Sequence, residues 1–312
     1  MSFAFVFPGQ GSQSVGMLAD FATDSEVRAV FNEAATVLGY DLWDLTQHGP
    51  AEKLNSTEYA QPAMLAAAVA LWRLWHARDG GDPAEVSGHS LGEFTALVCA
   101  GALSLGEAVD LVRFRGQVMQ EAVPAGMGAM VAILGLTDEQ VVASCAQAAQ
   151  GEVVEAVNFN APGQVVIAGA RMAVERAVEA CKAAGAKRAL ALPLSVPSHC
   201  RLMQPAAARL QERLQDVKLE KPVIRYRSAV DAAPHADPDD IRRLLVRQLA
   251  SPVRWQDTVR ALVADGHAQI IECGPGKVLS GMNRRIEKRA DLAYLPLENR
   301  MTFDAALAAT RS

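Results

Sequence analysis

No stretch of this chain is long and apolar enough to cross a bilayer. The longest apolar run, Ala63 to Trp72, stops at Arg73, well short of the ~18 to 20 residues that a span requires. Cysteine is scarce, with five residues, an odd number, and no C-x-x-C pair, which argues against a disulfide framework and a zinc knuckle. Aromatic residues make up 5% of the chain and charged residues 21%, with a formal net charge of −5, so there is no basic footprint for nucleic acid. Disorder is excluded too, because 50% of the residues are hydrophobic. Met1 to Phe7 has neither the basic start nor the small-residue cleavage site of a signal peptide. We therefore expect a cytoplasmic protein with no nucleic-acid or membrane partner. Internal repeats and a Walker A motif are absent, and the G-x-G-x-x-G pattern after Phe7 fails at Ser14.

What is present is an alternation of strands and helices over 312 residues, enough for one large domain or a domain with an insertion. Phe3 to Phe7 reads as a buried strand entering the tight loop Pro8-Gly9-Gln10-Gly11. Helical patterns run from Glu26 to Leu38 and from Pro62 to Ala77. A short strand then ends in Gly88-His89-Ser90-Leu91-Gly92, with a helix from Glu93 to Ala102. Ser104 and Glu107 have capping-box spacing, so a further helix begins there, with Arg115 on its apolar stripe. From Gly128 to Leu192 the units shorten and read βαββαβ, the split βαβ or ferredoxin-like order, with a turn at Asn160 to Gly163. Longer units return after Pro197. They include helices at Arg201 to Leu214 and Asp239 to Leu249, and strands at Val223 to Ser228, Gln269 to Cys273 and Ala293 to Leu297. The fold class is α/β: a large α/β-hydrolase-like domain with a mainly parallel sheet, residues 1–124 and 198–312, carrying a ferredoxin-like insert, residues 125–197.

Gly88-His89-Ser90-Leu91-Gly92 matches the G-x-S-x-G nucleophile elbow, in which glycines allow a strained strand-to-helix turn that presents a serine hydroxyl. The bland alternative is an ordinary glycine-flanked turn. A serine needs a base, and six histidines compete. His89 adjoins Ser90, so its side chain diverges; His48, His76 and His235 have polar surroundings, and His267 precedes a strand. His199, in Ser195-Val196-Pro197-Ser198-His199, stands at the return from the insert. It is either the base or a helix-start histidine with no partner. No acid between serine and histidine sits at a convincing strand end; a backbone carbonyl could instead fix the imidazole tautomer, which would make a dyad rather than a triad. Arg115 is either a snorkelling or salt-bridged arginine or a bidentate carboxylate receptor. The Gln10 loop and Leu91 are positioned to offer N–H groups to an oxyanion. Arg284, Arg285, Lys288 and Arg289 form a basic cluster that is either a solvated helix end or a docking patch.

These motifs, with Arg115-Gly116, Asn158-Phe159-Asn160-Ala161-Pro162-Gly163-Gln164 and Gly274-Pro275-Gly276, resemble in order the malonyl-CoA:acyl carrier protein transacylases of bacterial type II fatty acid synthesis. The resemblance spans nearly the whole chain. It implies ping-pong transfer of malonyl from coenzyme A through Ser90 to the phosphopantetheine thiol of acyl carrier protein, with no cofactor and a monomeric enzyme. It further implies that His199 is the general base and acid, that Gln248 holds it through a main-chain carbonyl, that Arg115 takes the malonyl carboxylate, and that Gln10 and Leu91 form the oxyanion hole. Two positions depart from the family: Arg227-Ser228-Ala229 replaces a common Asn pair, and Ser251 replaces an Asn before Pro252. Two other readings stand beside the transferase, a serine hydrolase or thioesterase and a non-catalytic docking domain. A lipase-like hydrolase has no use for a cation facing its acyl pocket, and a chain that keeps serine, histidine and arginine together argues against mere docking.

Overall fold

The computed structural model describes residues 2–193 and 196–311. Met1, Leu194, Ser312 and Ser195, the last in the segment leading to His199, lie outside the described residues. The first strand, β1 (Phe3–Phe7), is buried on both faces, which is why it reads as an unbroken apolar run. Its odd-numbered phenylalanines face one way, with Phe5 at 5.1 Å from the Trp75 ring. Ala4 and Val6 face the other way, into a second apolar cluster that contains Trp255, Val259 and Ile270.

Helices α1 (Ser25–Leu38), α2 (Leu42–His48), α3 (Ala51–Asn55) and α4 (Thr57–Ala77) follow. The pattern predicts a start at Pro62 for α4, since proline favours a first helical turn. The helix begins earlier, at Thr57, because Gln120 Oε1 accepts the Glu58 N–H at 2.9 Å and the Ser56 hydroxyl at 3.1 Å. Then come β2 (Glu85–Gly88), α5 (Gly92–Cys99) and α6 (Leu105–Ala122). Half of the expected capping box of α6 forms: Ser104 Oγ accepts the Glu107 N–H at 3.3 Å, while the Glu107 carboxylate takes the Ser104 hydroxyl at 2.6 Å instead of the backbone amide.

The small units are β3 (Gly128–Leu134), α7 (Asp138–Ala149), β4 (Val154–Ala161), β5 (Gln164–Ala170), α8 (Arg171–Ala183) and β6 (Arg188–Ala191). They form an antiparallel sheet of order β4-β5-β3-β6. The turn predicted from Asn160 is narrower, because two register shifts carry β4 through its asparagines as far as Ala161. The chain continues through α9 (Gln204–Gln215), β7 (Arg225–Arg227), β8 (Pro234–His235), α10 (Pro238–Gln248), α11 (Trp255–Ala264), β9 (Gln269–Glu272), α12 (Val278–Ile286), β10 (Ala293–Pro296) and α13 (Arg300–Arg311). The sequence reading leaves α11 and α13 unassigned. Both bury short i, i+3, i+4 stripes, Val259, Leu262 and Val263 in one and Phe303, Ala306 and Leu307 in the other.

The larger sheet has the order β10-β9-β1-β2-β7-β8 and is parallel except at its β7–β8 edge. The segment between α10 and α11 ties the larger unit to the smaller sheet, where Val253 donates to Val157 O at 2.8 Å and Phe159 donates to Val253 O at 3.0 Å. Among the described residues, no helix is long and apolar enough to cross a membrane.

Candidate active site

The carboxyl ends of β1 and β2 lie side by side, with Phe7 paired to Gly88. Open α/β sheets offer their crevice at that end. The turn after β2 is so tight that only glycine fits on either side of it. A Cβ on Gly88 would meet the Gly92 carbonyl carbon at 1.9 Å, and one on Gly92 would meet Phe7 O at 2.0 Å. Between them Ser90 is held at φ 54°, a left-handed conformation that a serine adopts only when its surroundings enforce it. The loop after β1 crosses directly over the elbow. A Cβ on Gly9 would lie 2.7 Å from His89 O.

Ser90 Oγ is 2.8 Å from His199 Nε2. His199 Nδ1 is 2.8 Å from the main-chain oxygen of Gln248. A carbonyl only accepts, so Nδ1 carries the proton and Nε2 presents its lone pair to the serine hydroxyl. His199 is 3% exposed and its φ is 68°. Burial, reinforced by the Arg115 charge, pushes its pKa down to about 3, which keeps the ring neutral. The other histidines have partners of their own. His89 diverges from the elbow to Asn160 Oδ1 at 2.9 Å, His48, His76 and His235 face Asp44, Asp82 and Asp231, and His267 lies between Ser2 and Glu85.

Arg115 comes in from α6 and is 1% exposed. One terminal nitrogen donates to Gln61 Oε1 at 2.8 Å; the other donates to Gln248 Oε1 at 2.9 Å and to Ser90 Oγ at 3.2 Å. Its Nε is buried with no partner among the described residues. Burial lowers its pKa to about 10, opposed by the charge of Glu93, so it is a cation at neutral pH. Every direct acceptor of this guanidinium is neutral. It is neither snorkelling nor salt-bridged, and it has donor capacity left for an anion.

The N–H groups of Gln10 and Leu91 donate to no other described residue. Beside them a cleft of about 510 Å³ runs between the two sheets, lined among others by Gln10, His89, Asn158, Asn160, Leu279 and Met282. Asn158 Oδ1 is buried there without a donor among the described residues. Arg285, at the rim, donates to Gln164 Oε1 at 2.5 Å, and Arg284 to Tyr294 O at 2.7 Å, so part of the basic cluster is tied to its own chain. Among the described residues no three His, Cys, Asp or Glu side chains gather to hold a metal ion.

The fold thus brings together Ser90, His199, Arg115, Gln248, Gln10 and Leu91. Sequence reasoning passes over Gln61, whose only signal is a polar residue amid an alanine-rich helix. It also assigns nothing to Glu93, whose side chain meets Gln248 at 2.8 Å. The arrangement can deprotonate a hydroxyl, stabilise an oxyanion and bind a carboxylate at one point.

Residues 4–294 match the family model described as the acyl transferase domain. The chain is 56% identical over 285 residues to the malonyl CoA-acyl carrier protein transacylase of Escherichia coli K12, covering 91% of this chain and 92% of that one. It is 53% identical over 305 residues to the Haemophilus influenzae protein of the same description, covering 97% of each. Among solved structures it resembles a malonyl-transacylase captured with its type II PKS acyl-carrier protein, with TM-score 0.97, 51% identity, and 99% and 100% of the two chains covered. The acyl carrier protein S-malonyltransferase of Vibrio cholerae superposes with TM-score 0.95 at 54% identity, covering 98% and 100%.

Proposed function

The chain belongs to the acyl transferase family, and from that premise we propose that it moves malonyl from malonyl-CoA to the phosphopantetheine thiol of acyl carrier protein, supplying fatty acid chain extension. The reading rests above all on one feature. Ser90 Oγ lies at once 2.8 Å from a neutral His199 and 3.2 Å from a charged Arg115.

In the first half-reaction Arg115 takes the malonyl carboxylate, which directs the thioester carbonyl toward Ser90. His199 Nε2 accepts the hydroxyl proton as Oγ attacks the carbonyl carbon, a role worth roughly 10²- to 10⁴-fold. The oxyanion receives the Gln10 and Leu91 N–H groups, each donor of this kind contributing about 10²- to 10³-fold. The carbon–sulfur bond breaks, the proton passes from His199 to the departing coenzyme A sulfur, and malonyl remains on Ser90. In the second half, the carrier thiol gives its proton to His199 and attacks the malonyl ester. Ser90 leaves and recovers the proton. Gln248 O fixes the imidazole throughout. The cleft between the sheets takes the phosphopantetheine arm, with Asn158 Oδ1 available to its amide N–H groups. Residues 1–124 and 198–312 make up the catalytic unit and 125–197 the insert, a division supported by the second sheet running from Gly128 to Ala191.

The test is direct. The protein is mixed with malonyl-CoA and quenched, the adduct is mapped by mass spectrometry, and phosphopantetheinylated carrier is then added. We expect malonyl on Ser90 that persists in water and moves to the carrier. An adduct lost to water while the carrier is ignored would mean a hydrolase, and no adduct a docking domain.

A further inference from the structure

Arg115 raises a question of charge balance. Its two terminal nitrogens are satisfied by the neutral oxygens of Gln61 and Gln248, yet a buried guanidinium without a counter-charge is costly. The anion closest to it in the hydrogen-bond network is Glu93, in the first turn of α5, where the helix favours negative charge. Glu93 is as buried as Arg115. Its Oε1 accepts Gln248 Nε2 at 2.8 Å and Ala229 N–H at 3.3 Å, and Oε2 accepts the Tyr226 hydroxyl. Burial pushes the Glu93 carboxyl up, opposed by these hydrogen bonds; the amide groups are obligatory donors and the hydroxyl supplies a third proton, a set of three donors that fits an ionised carboxylate. Gln248 is held in one orientation by this arrangement. Its oxygen must face the arginine, so its nitrogen faces Glu93 and, at 3.0 Å, Ser90 O.

We propose that Glu93 is the resident counter-anion of Arg115, coupled to it through the Gln248 side-chain amide, and that its charge limits how tightly Arg115 holds a substrate carboxylate. This rests on the malonyl-transfer reading above and adds a residue to it. When the acyl carboxylate arrives, two anions share one cation. Like charges oppose each other, so the malonyl group is held less tightly than by Arg115 alone. Such moderation suits an enzyme that must both load and release the same acyl group, because binding that is equal in ground and transition states gives no gain in turnover. Glu93 touches no reacting atom. It is a positioning residue that acts through Gln248 and Arg115.

The informative variant is Glu93→Gln, which keeps the shape and removes the charge. We expect KM for malonyl-CoA to fall several-fold while KM for acetyl-CoA stays at its wild-type value, with carrier protein saturating in both assays. We also expect the unliganded variant to melt below wild type and added free malonate to narrow that gap. Glu93→Asp retains the charge and should keep the wild-type ratio of the two KM values. Equal shifts for malonyl and acetyl, or the same shift in Glu93→Gln and Glu93→Asp, would overturn the proposal. Should Glu93→Gln fail to fold, Tyr226→Phe removes a donor that favours the ionised carboxylate, so Glu93 is neutral more often and the malonyl KM should move in the same direction by a smaller factor; an unchanged ratio there overturns it equally. Arg115→Ala, run alongside, separates the two levels. If it loses malonyl selectivity while Glu93→Gln does not change it, the counter-anion fails and the transfer reading stands. If Arg115→Ala shows no loss of selectivity, both fail.

Discussion

Three side chains acquire their chemistry from surroundings that the sequence does not display. His199 is the clearest. Buried imidazole is held neutral, with its pKa near 3, whereas an unperturbed histidine titrates at about 6.5. Transfer should therefore show no acid limb from this residue between pH 5 and 8, measured as kcat/KM for malonyl-CoA; a limb near 6.5 that disappears in a His199 variant would contradict it. Stability follows with the opposite burden. Above about pH 6.5 folded and unfolded chains are both neutral at this position, and its contribution is complete. As pH falls toward 3 the unfolded chain takes up a proton that the fold refuses, so stability declines. We expect the Tm of the wild-type protein to drop more steeply between pH 6.5 and 4 than that of His199→Gln. For Arg115→Ala, malonyl transfer should fall on the order of 100-fold, the effect of losing two charged hydrogen bonds of about 1.5 kcal/mol each, with acetyl transfer much less affected. Equal losses would make Arg115 structural. Ser90 is legible in the sequence because its turn tolerates only glycine at Gly88 and Gly92. His199 is legible only through its place at the return from the insert and through the family resemblance, since nothing local marks a histidine whose partner lies 109 positions away. Gln61 and Glu93 are still less visible, because their roles are set wholly by what they meet.

Elements decide how far those residues stand from one another. Helix α6 carries Arg115 next to Gly116, and at Gly116 the helix presses on the start of α4. A Cβ there would meet Thr57 O at 2.7 Å and Glu58 Cα at 2.8 Å. Backbone on the far side cannot rotate away, so Gly116→Ala must push the two helices apart and draw Arg115 off Ser90 Oγ. The expected outcome is a protein that folds with a lower Tm and loses malonyl selectivity more than it loses acetyl transfer. Unaltered selectivity would show that the helices yield elsewhere. Periodicity and caps made most elements readable, and in the structure Thr137 and Gln140 close a full capping box at the start of α7. What escaped had non-local causes. The start of α4 is fixed by Gln120 from α6, and β4 outruns its turn signal because bulges absorb the asparagines. No window of neighbouring residues contains either cause.

For the molecule as a whole, the cleft exists because two sheets meet along a thin seam. The seam includes the reciprocal bonds of Val253 with β4 and the link from His89 to Asn160. Asn160→Ala leaves the half-buried His89, whose pKa desolvation lowers, without its acceptor. We expect faster hydrogen exchange along β4 and a raised KM for malonyl-CoA and acetyl-CoA alike, with their ratio preserved; a change confined to one substrate would place Asn160 with the acyl group. The general architecture was legible as alternating units around a smaller βαββαβ order, while the seam was not, since it joins segments far apart in the chain. One member of the site lies beyond sequence in a stricter sense. The oxygen that fixes the His199 tautomer is the main-chain carbonyl of Gln248, and every amino acid brings the same oxygen. That acceptor has no codon of its own. A saturation screen for inactive variants would find Ser90 and His199 at once, yet any damage at position 248 would report only the lost side chain; deleting or inserting a residue beside it is what would take the oxygen away.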